Sequence, residues 1–248
     1  MLTSLIAGLV TFGFTTLLTV AGVGAAFVLI PVFLALGIEV HTAMATALLL
    51  NAVAMAVAWV NFVRARLVVW TVALPMVVVA SVLSPLGAWV SHGLDRTVLL
   101  RVFVAFLVFA ALMMLFYRPR PRGTSSGGST LLGVGLGVGG LAGFLGGLLG
   151  VGGGNIIVPA LVALGFDAKK ASASTSFVVI FSSLTGFLGH LSLAGMDSAL
   201  LGWTATGSAA GALLGSWLMT DKLKGRQVKV LIGLVLLGIA ARMAWGLV

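Results

Sequence analysis

The sequence predicts an all-α polytopic membrane protein: about ten hydrophobic segments in two inverted five-segment repeats, with short broken helices at segments 2 and 7. Of 248 residues, 60% are hydrophobic and only 8% charged, with a mean hydropathy of +1.24. A soluble domain carries about 25% charged residues, so 14 basic and 5 acidic side chains cannot coat a water-facing surface. Polar punctuation divides the chain into apolar runs, most of them near the ~20 residues that a helix needs to cross a bilayer. The second half also repeats the first at an offset of 128 residues, which lays Gly22-Val-Gly24 on Gly150-Val-Gly152.

In order, the segments run roughly 2–21, 23–36, 43–60, 67–90, 97–117, 130–149, 151–164, 171–189, 198–219 and 228–246. The first lacks the basic start of a cleaved secretion signal, with no Lys or Arg among its opening residues, and reads as a span. Segments 2 and 7 are short, open on glycine clusters and contain Pro31 and Pro159. Arg118-Pro-Arg-Pro-Arg-Gly-Thr-Ser-Ser-Gly-Gly-Ser129 is the one extended polar stretch and reads as a linker. The chain thus divides into a first transmembrane repeat (1–117), a linker (118–129) and a second repeat (130–248).

The same offset lays Pro31 on Pro159, Gly37 on Gly165, Gly87 on Gly215 and Trp89 on Trp217. Five segments per half is odd, so the second copy enters the membrane upside down. The charges agree. If all ten segments cross, one side holds Arg64, Arg66, Arg118, Arg120, Arg122, Lys169, Lys170, Lys222, Lys224 and Arg226. The other side has Arg96, with Arg101 and Arg242 near span ends. That is a positive-inside bias, with both termini outside. The basic loop at Arg64 and Arg66 corresponds to a loop in the second half that carries Asp197 and no base, as inversion requires.

A glycine run inside an apolar segment frees backbone groups that must be satisfied at membrane depth, so it belongs where protein buries it or where it lines a cavity. In inverted-repeat transporters, paired broken helices aim their N-termini at anionic substrates. Gly152, Gly153, Gly154 and Asn155 fit that role, with Gly24 in the matching break, where Phe27 replaces the asparagine. Thr46, Asn51, Thr175 and Ser176 follow the two breaks and add neutral donors. Close packing through small residues accounts for glycine-rich spans as well, and capping or interhelical bonding accounts for the hydroxyls.

Other readings are excluded or left as alternatives. All five acidic residues (Glu39, Asp95, Asp167, Asp197, Asp221) fall in loops, so an intramembrane carboxylate relay is missing and a cation path is disfavoured. The absence of cysteine removes disulfides and thiolate metal sites, nothing resembles a catalytic triad, a metal cluster or a phosphate-binding loop, and neither a metal nor a cofactor is expected. Nucleic acid is excluded because the basic residues sit in short groups between spans. Gly135-Leu-Gly-Val-Gly-Gly140 mimics a dinucleotide loop without its strand. Gly207, Gly211 and Gly215 form a smooth packing face. Arg101 and Lys229 share a repeat position and either draw anions inward or snorkel to the interface. His190 ends segment 8 as a titratable group or an interfacial anchor.

Gly150-Val-Gly-Gly-Gly-Asn-Ile-Ile-Val-Pro-Ala-Leu161, then Gly165, then Ala173-Ser-Thr-Ser176, resembles the TauE/SafE family of sulfite-exporter-like transporters, and Gly22 to Thr46 is a degenerate second copy. Ala25-Ala26 and Thr46-Ala47 depart from the pattern in that copy. The resemblance implies a multi-pass inner-membrane carrier of small sulfur-containing or organic anions such as sulfite, sulfoacetate or other sulfonates. The expected partners are that anion and the lipid bilayer, with homo-oligomerisation left open. The expectation is a transporter rather than an enzyme, in which segments 2 and 7 hold the anion near the midplane and the halves rock around it. An anion channel and a non-transport membrane assembly or anchoring subunit are the alternatives.

Overall fold

The computed structural model describes residues 2–116, 128–190 and 198–245; the linker at 118–127 and Asp197 lie outside them. The described residues form ten α-helices and no strand. The first five are α1 (Leu2–Ala21), α2 (Ala26–Ala35), α3 (Val40–Arg64), α4 (Trp70–Ser91) and α5 (Arg96–Phe116). The second five are α6 (Gly128–Leu148), α7 (Gly154–Ala163), α8 (Ala168–His190), α9 (Ser198–Trp217) and α10 (Gly225–Trp245). Each falls on one hydrophobic segment, in order. One expectation is corrected: Asp221 is not in a loop but in a π-helical turn, Leu218–Lys222, that extends α9. Lys169 Nζ holds this turn by donating to the Thr220 carbonyl at 2.9 Å.

Helices α2 and α7 are short for the same backbone reason at both ends. Gly22 and Gly24 precede α2, and Gly150, Gly152 and Gly153 precede α7, all with positive φ that side-chain-bearing residues rarely adopt. Each helix then stops at a left-handed glycine, Gly37 (φ 80°) or Gly165 (φ 94°). There the following residue, Ile38 or Phe166, donates its N–H back to Phe33 or Leu161, closing a Schellman cap.

The long helices pack through small residues, backbone against backbone. On α6, Gly135, Gly139, Gly143 and Gly147 recur every fourth residue and lie against Pro75, Met76, Ala80 and Ser84 of α4. On α9, Gly207, Gly211 and Gly215 lie against Gly8, Phe12 and Thr16 of α1, so this row is the packing face its spacing suggests. The pairing is exchanged between the halves. Helix α1 packs on α9 while its counterpart α6 packs on α4, and α3 packs on α9 as α8 packs on α4. At the centre α3 and α8 run antiparallel: Leu48 meets Gly186, Asn51 bonds Ser183, and Trp59 stacks on Phe177.

The outward faces are apolar. Leu74, Val78, Val82, Leu86 and Trp89 make one exposed stripe on α4, opposite its buried Val72, Met76, Ala80, Ser84 and Gly87. Trp89, Phe116 and Trp245 are 74%, 77% and 84% exposed. Such a surface suits hydrocarbon and not water. Among the described helices, three have the length and hydropathy to cross a membrane: His41–Arg64, Trp70–Ser91 and Ala168–His190. Most of the described basic residues share one end. The Arg64–Arg66 turn, Lys169, Lys170 and the Thr220–Arg226 stretch gather at one end, tied by Val69 N–H to Ser174 Oγ (2.8 Å) and by Lys169 to Thr220. His41, His92 and His190 gather at the other.

A Cβ added at Gly143 would collide with the Ala80 backbone, whereas one at Gly137 would meet no atom within 4 Å. Gly143→Ala is therefore expected to cost about 1–3 kcal/mol through overpacking. In thermal unfolding of the detergent-purified protein it should melt well below the wild type, and Gly137→Ala should not.

Candidate functional site

The two glycine breaks meet in the interior. Gly154, the first residue of α7, lies so close to Val23 that an added Cβ would stand 2.8 Å from both its Cα and its carbonyl oxygen. Gly22 rests on Ser172, Gly24 on the Asn51 side chain, and Gly152 between Asn51 and Ser183. Backbone groups exposed by the breaks must find partners inside the protein, and α8 provides them. Ser172 Oγ donates to the Ala21 carbonyl (2.9 Å) and Ser182 Oγ to the Gly152 carbonyl (2.8 Å). Ser84 Oγ of α4 donates to the Ser182 carbonyl at 2.7 Å, and Asn51 Nδ2 to Ser183 Oγ at 3.0 Å.

The sequence-derived residues fall into two groups. Gly24, Gly152, Gly153 and Gly154 shape the breaks, each at a position where a Cβ would strike a neighbour. Their amides have separate fates. Gly152 N–H is spent on the Gly146 carbonyl and Ile156 N–H on the Gly153 carbonyl, whereas Gly154 and Asn155 open α7, where N–H groups have no intrahelical acceptor. Gly153, the N-cap, supplies no side-chain cap, and neither does Ala25 at the start of α2. Two uncapped N-termini, each worth roughly +0.5 charge, thus start beside one another.

Among the polar side chains, Asn155 stands out. It is fully buried, and both its amide nitrogen and its oxygen lack a partner. Pro159 cannot supply the N–H that would give the Asn155 carbonyl its usual i+4 bond. Thr175 Oγ1 and Asn51 Oδ1 are likewise buried and unpartnered. Thr175 lies one turn before Val179, whose methyls touch Gly152 and Gly154, so it shares the α8 face that meets the α7 start. Ser176 and Thr46 are also buried, but their hydroxyls donate to the Ser172 and Thr42 carbonyls of their own helices, both at 2.9 Å. Their protons are therefore engaged within their own helices. Carboxylates in the described residues stay at helix ends and turns: Glu39 caps α3 by accepting from Thr42 N–H, and Asp167 accepts from Lys169 N–H.

Sequence reasoning passed over Ser182 and Ser183 as members of a polar run and did not single out Ser84. Ser183 and Asn51 are 132 positions apart, so only the α3–α8 packing reveals their bond. A further row, Thr11, Thr15 and Thr19 on α1, is buried with unpartnered hydroxyls, and Thr15 and Thr19 face the glycines of α9. Arg101 is exposed on α5, while the Lys229 side chain lies outside the described residues. His190 is buried against α6, its Nε2 bonding the Gly147 carbonyl at 3.0 Å, rather than presented to an interface.

Gly24 has φ +74°, and a Cβ there would overlap the Asn51 carboxamide. Gly24→Ala is expected to cost about 1–3 kcal/mol in strain and displaced packing. A lowered melting temperature, together with loss of the Asn51–Ser183 coupling in a double-mutant cycle, checks this.

Comparison with known proteins agrees with the geometry. Residues 5–243 match the family model described as sulfite exporter TauE/SafE. The chain is 32% identical over 125 residues to the probable membrane transporter protein YunE of Bacillus subtilis, covering 44% of this chain and 46% of that protein. It is 46% identical over 59 residues to sulfite exporter TauE/SafE family protein 1 of Arabidopsis thaliana, covering 24% of this chain and 13% of the relative. The matched regions thus span less than half of these curated relatives. No solved structure is significantly similar. A repeated glycine-broken core in an apolar helical body, matched over nearly its whole length by one family model, places this chain in the sulfite exporter TauE/SafE family of membrane transporters.

Proposed function

We propose that the protein is a multi-pass inner-membrane carrier of small sulfur-containing or organic anions of the sulfite, sulfoacetate or sulfonate type. The anion is held where α2 and α7 begin, near the midplane. The observation that carries this reading is Asn155: a fully buried amide with no partner, in the first turn of a helix whose N–H groups are uncapped. A buried amide without hydrogen bonds costs about 1–3 kcal/mol, so its retention implies a ligand. The Gly154 and Asn155 amides at the start of α7, the Thr175 hydroxyl and the second N–H of Asn51 Nδ2 supply further neutral donors, Ser176 and Thr46 line the place with their protons spent on their own helices, and Gly24, Gly152, Gly153 and Gly154 allow the backbone to approach. The positive ends of two helix dipoles favour an anion over a cation.

The exchange of partners between α1–α5 and α6–α10 supports two inverted repeats, 1–117 and 130–248 with the linker 118–129 between them, that rock against each other around the anion. The end bearing Arg64, Arg66, Lys169, Lys170 and Arg226 then faces the cytoplasm.

Asn155→Ala removes donors worth about 1.5–3 kcal/mol to a charged ligand. In proteoliposomes it should raise the half-saturating anion concentration about 10–100-fold while expression is retained, and unchanged flux would overturn the assignment of the site. Saturation and trans-stimulation by anion on the far side are expected of a carrier; non-saturating flux without them would establish a channel using the same donors. Because the sequence has no cysteine, single replacements report the orientation directly. Arg66→Cys should react with a membrane-impermeant maleimide only from the cytoplasmic side and Gly93→Cys only from outside; the reverse pattern would invert the topology.

A further inference from the structure

The three histidines of the chain come together at the end of the molecule opposite the Arg64–Arg66 turn, Lys169, Lys170 and the Lys222–Arg226 group. His41 lies in the first turn of α3, His92 caps the C-terminus of α4, and His190 is the last residue of α8. Their ring centroids are 4.3, 5.7 and 5.9 Å apart, and one ring nitrogen from each lies within 4.8 Å of the others. From these observations we infer that His41, His92 and His190 form a binding site for a divalent first-row transition metal of the zinc class.

The hydrogen bonds decide which nitrogens are available. A carbonyl oxygen only accepts, so His190 Nε2 must carry the proton that bonds the Gly147 carbonyl at 3.0 Å. The lone pair is therefore on Nδ1, which is buried without a partner in a side chain only 3% exposed. By the same logic His92 Nδ1 donates to the Ala88 carbonyl at 2.9 Å, leaving the lone pair on Nε2. His41 Nδ1 is also buried and unpartnered. An imidazole whose outer N–H is anchored on a backbone carbonyl while its other nitrogen is held bare has the tautomer and orientation of a metal-ligating histidine. Two of the three rings are held this way.

Three imidazoles, with the Glu39 carboxylate beside His41 but outside the ligand group, suit zinc, with cobalt, nickel and copper as competitors, and disfavour magnesium and calcium, which take mainly oxygen ligands. Zinc–nitrogen distances of about 2.0–2.1 Å require the nitrogens to close to roughly 3.4 Å in a tetrahedral site. His41 and His92 are stacked with planes 5° apart, so binding turns the His92 ring out of the stack. His92 is exposed at a helix end, where such a turn meets little resistance. Three protein ligands leave a fourth position for water or an anionic oxygen. The metal ties together the outer ends of α3, α4 and α8, the helices that carry Asn51, Ser84 and Thr175 at the glycine breaks.

The test is zinc titration of the purified, tag-free protein against a competing chromophoric chelator, repeated with Co2+ to read ligand-field absorption. One saturable Zn2+ per chain is expected, with a rise in melting temperature as N-state binding requires. His92→Gln and His190→Gln should each weaken it by at least about 100-fold, more than the ~10–100-fold typical of altered outer partners. The exposed His92 provides the variant that keeps the fold, checked by an unchanged metal-free melting temperature. No saturable binding by the wild type, or undiminished binding by His92→Gln, would overturn the site. Asn155→Ala should bind zinc as the wild type does, so failure of the anion site and failure of the metal site are distinguishable.

Discussion

Two backbone interruptions must share their unsatisfied groups in a place without water, and the rest of the structure depends on how they do so. A helix broken at membrane depth is tolerable only when protein takes over the bonds it has lost. Here neither break is repaired by its own neighbours alone. Ser172 and Ser182 on α8 serve the carbonyls of Ala21 and Gly152, one from each half of the chain. Gly154 meanwhile packs directly on Val23 of the other break. The first break thus takes a donor from the second half, and the second packs on the first. The polar atoms left over, chiefly those of Asn155, are concentrated at this one shared point.

Close approach is possible because the supporting helices carry almost no side-chain bulk where they cross. The α6 glycines lie on the α4 backbone and the α9 glycines on that of α1, so dispersion and exclusion of lipid act over backbone-to-backbone contact where no hydrophobic effect is available. The same helices turn their Leu, Val and Trp side chains outward. In a soluble protein that distribution would be inside out. In lipid it lets the interior be reserved for small and hydroxyl-bearing residues, which can serve broken backbone without introducing a charge.

Much of this was legible in the chain. The ten segments, the short second and seventh helices, and the glycine and proline marks at a 128-residue offset correspond to helices α1–α10 in order. Gly24, Gly152, Gly154, Asn155 and Thr175 were readable because the residue types themselves are anomalous in an apolar span: glycine breaks helices, and an amide in hydrocarbon demands a partner. Thr46 and Ser176 were chosen on the same ground, yet each bonds back to its own helix, an outcome that composition cannot distinguish from service to a ligand. Asp221 was misplaced because the π-helical turn that holds it is stabilised by Lys169, 52 positions earlier in the chain.

By itself the sequence determined what the surroundings had to be and where the backbone had to break, because both follow from local chemistry: few charges cannot face water, and glycine runs do not continue a helix. Only the tertiary structure decided who meets whom. Asn51 finds Ser183 because α3 and α8 pack antiparallel, and three histidines scattered over 150 positions converge because three helices end at one level. Such pairings are set by the summed packing of whole helices. No residue type or spacing along the chain encodes that sum, so the cluster of neutral donors and the cluster of imidazoles become visible only in three dimensions.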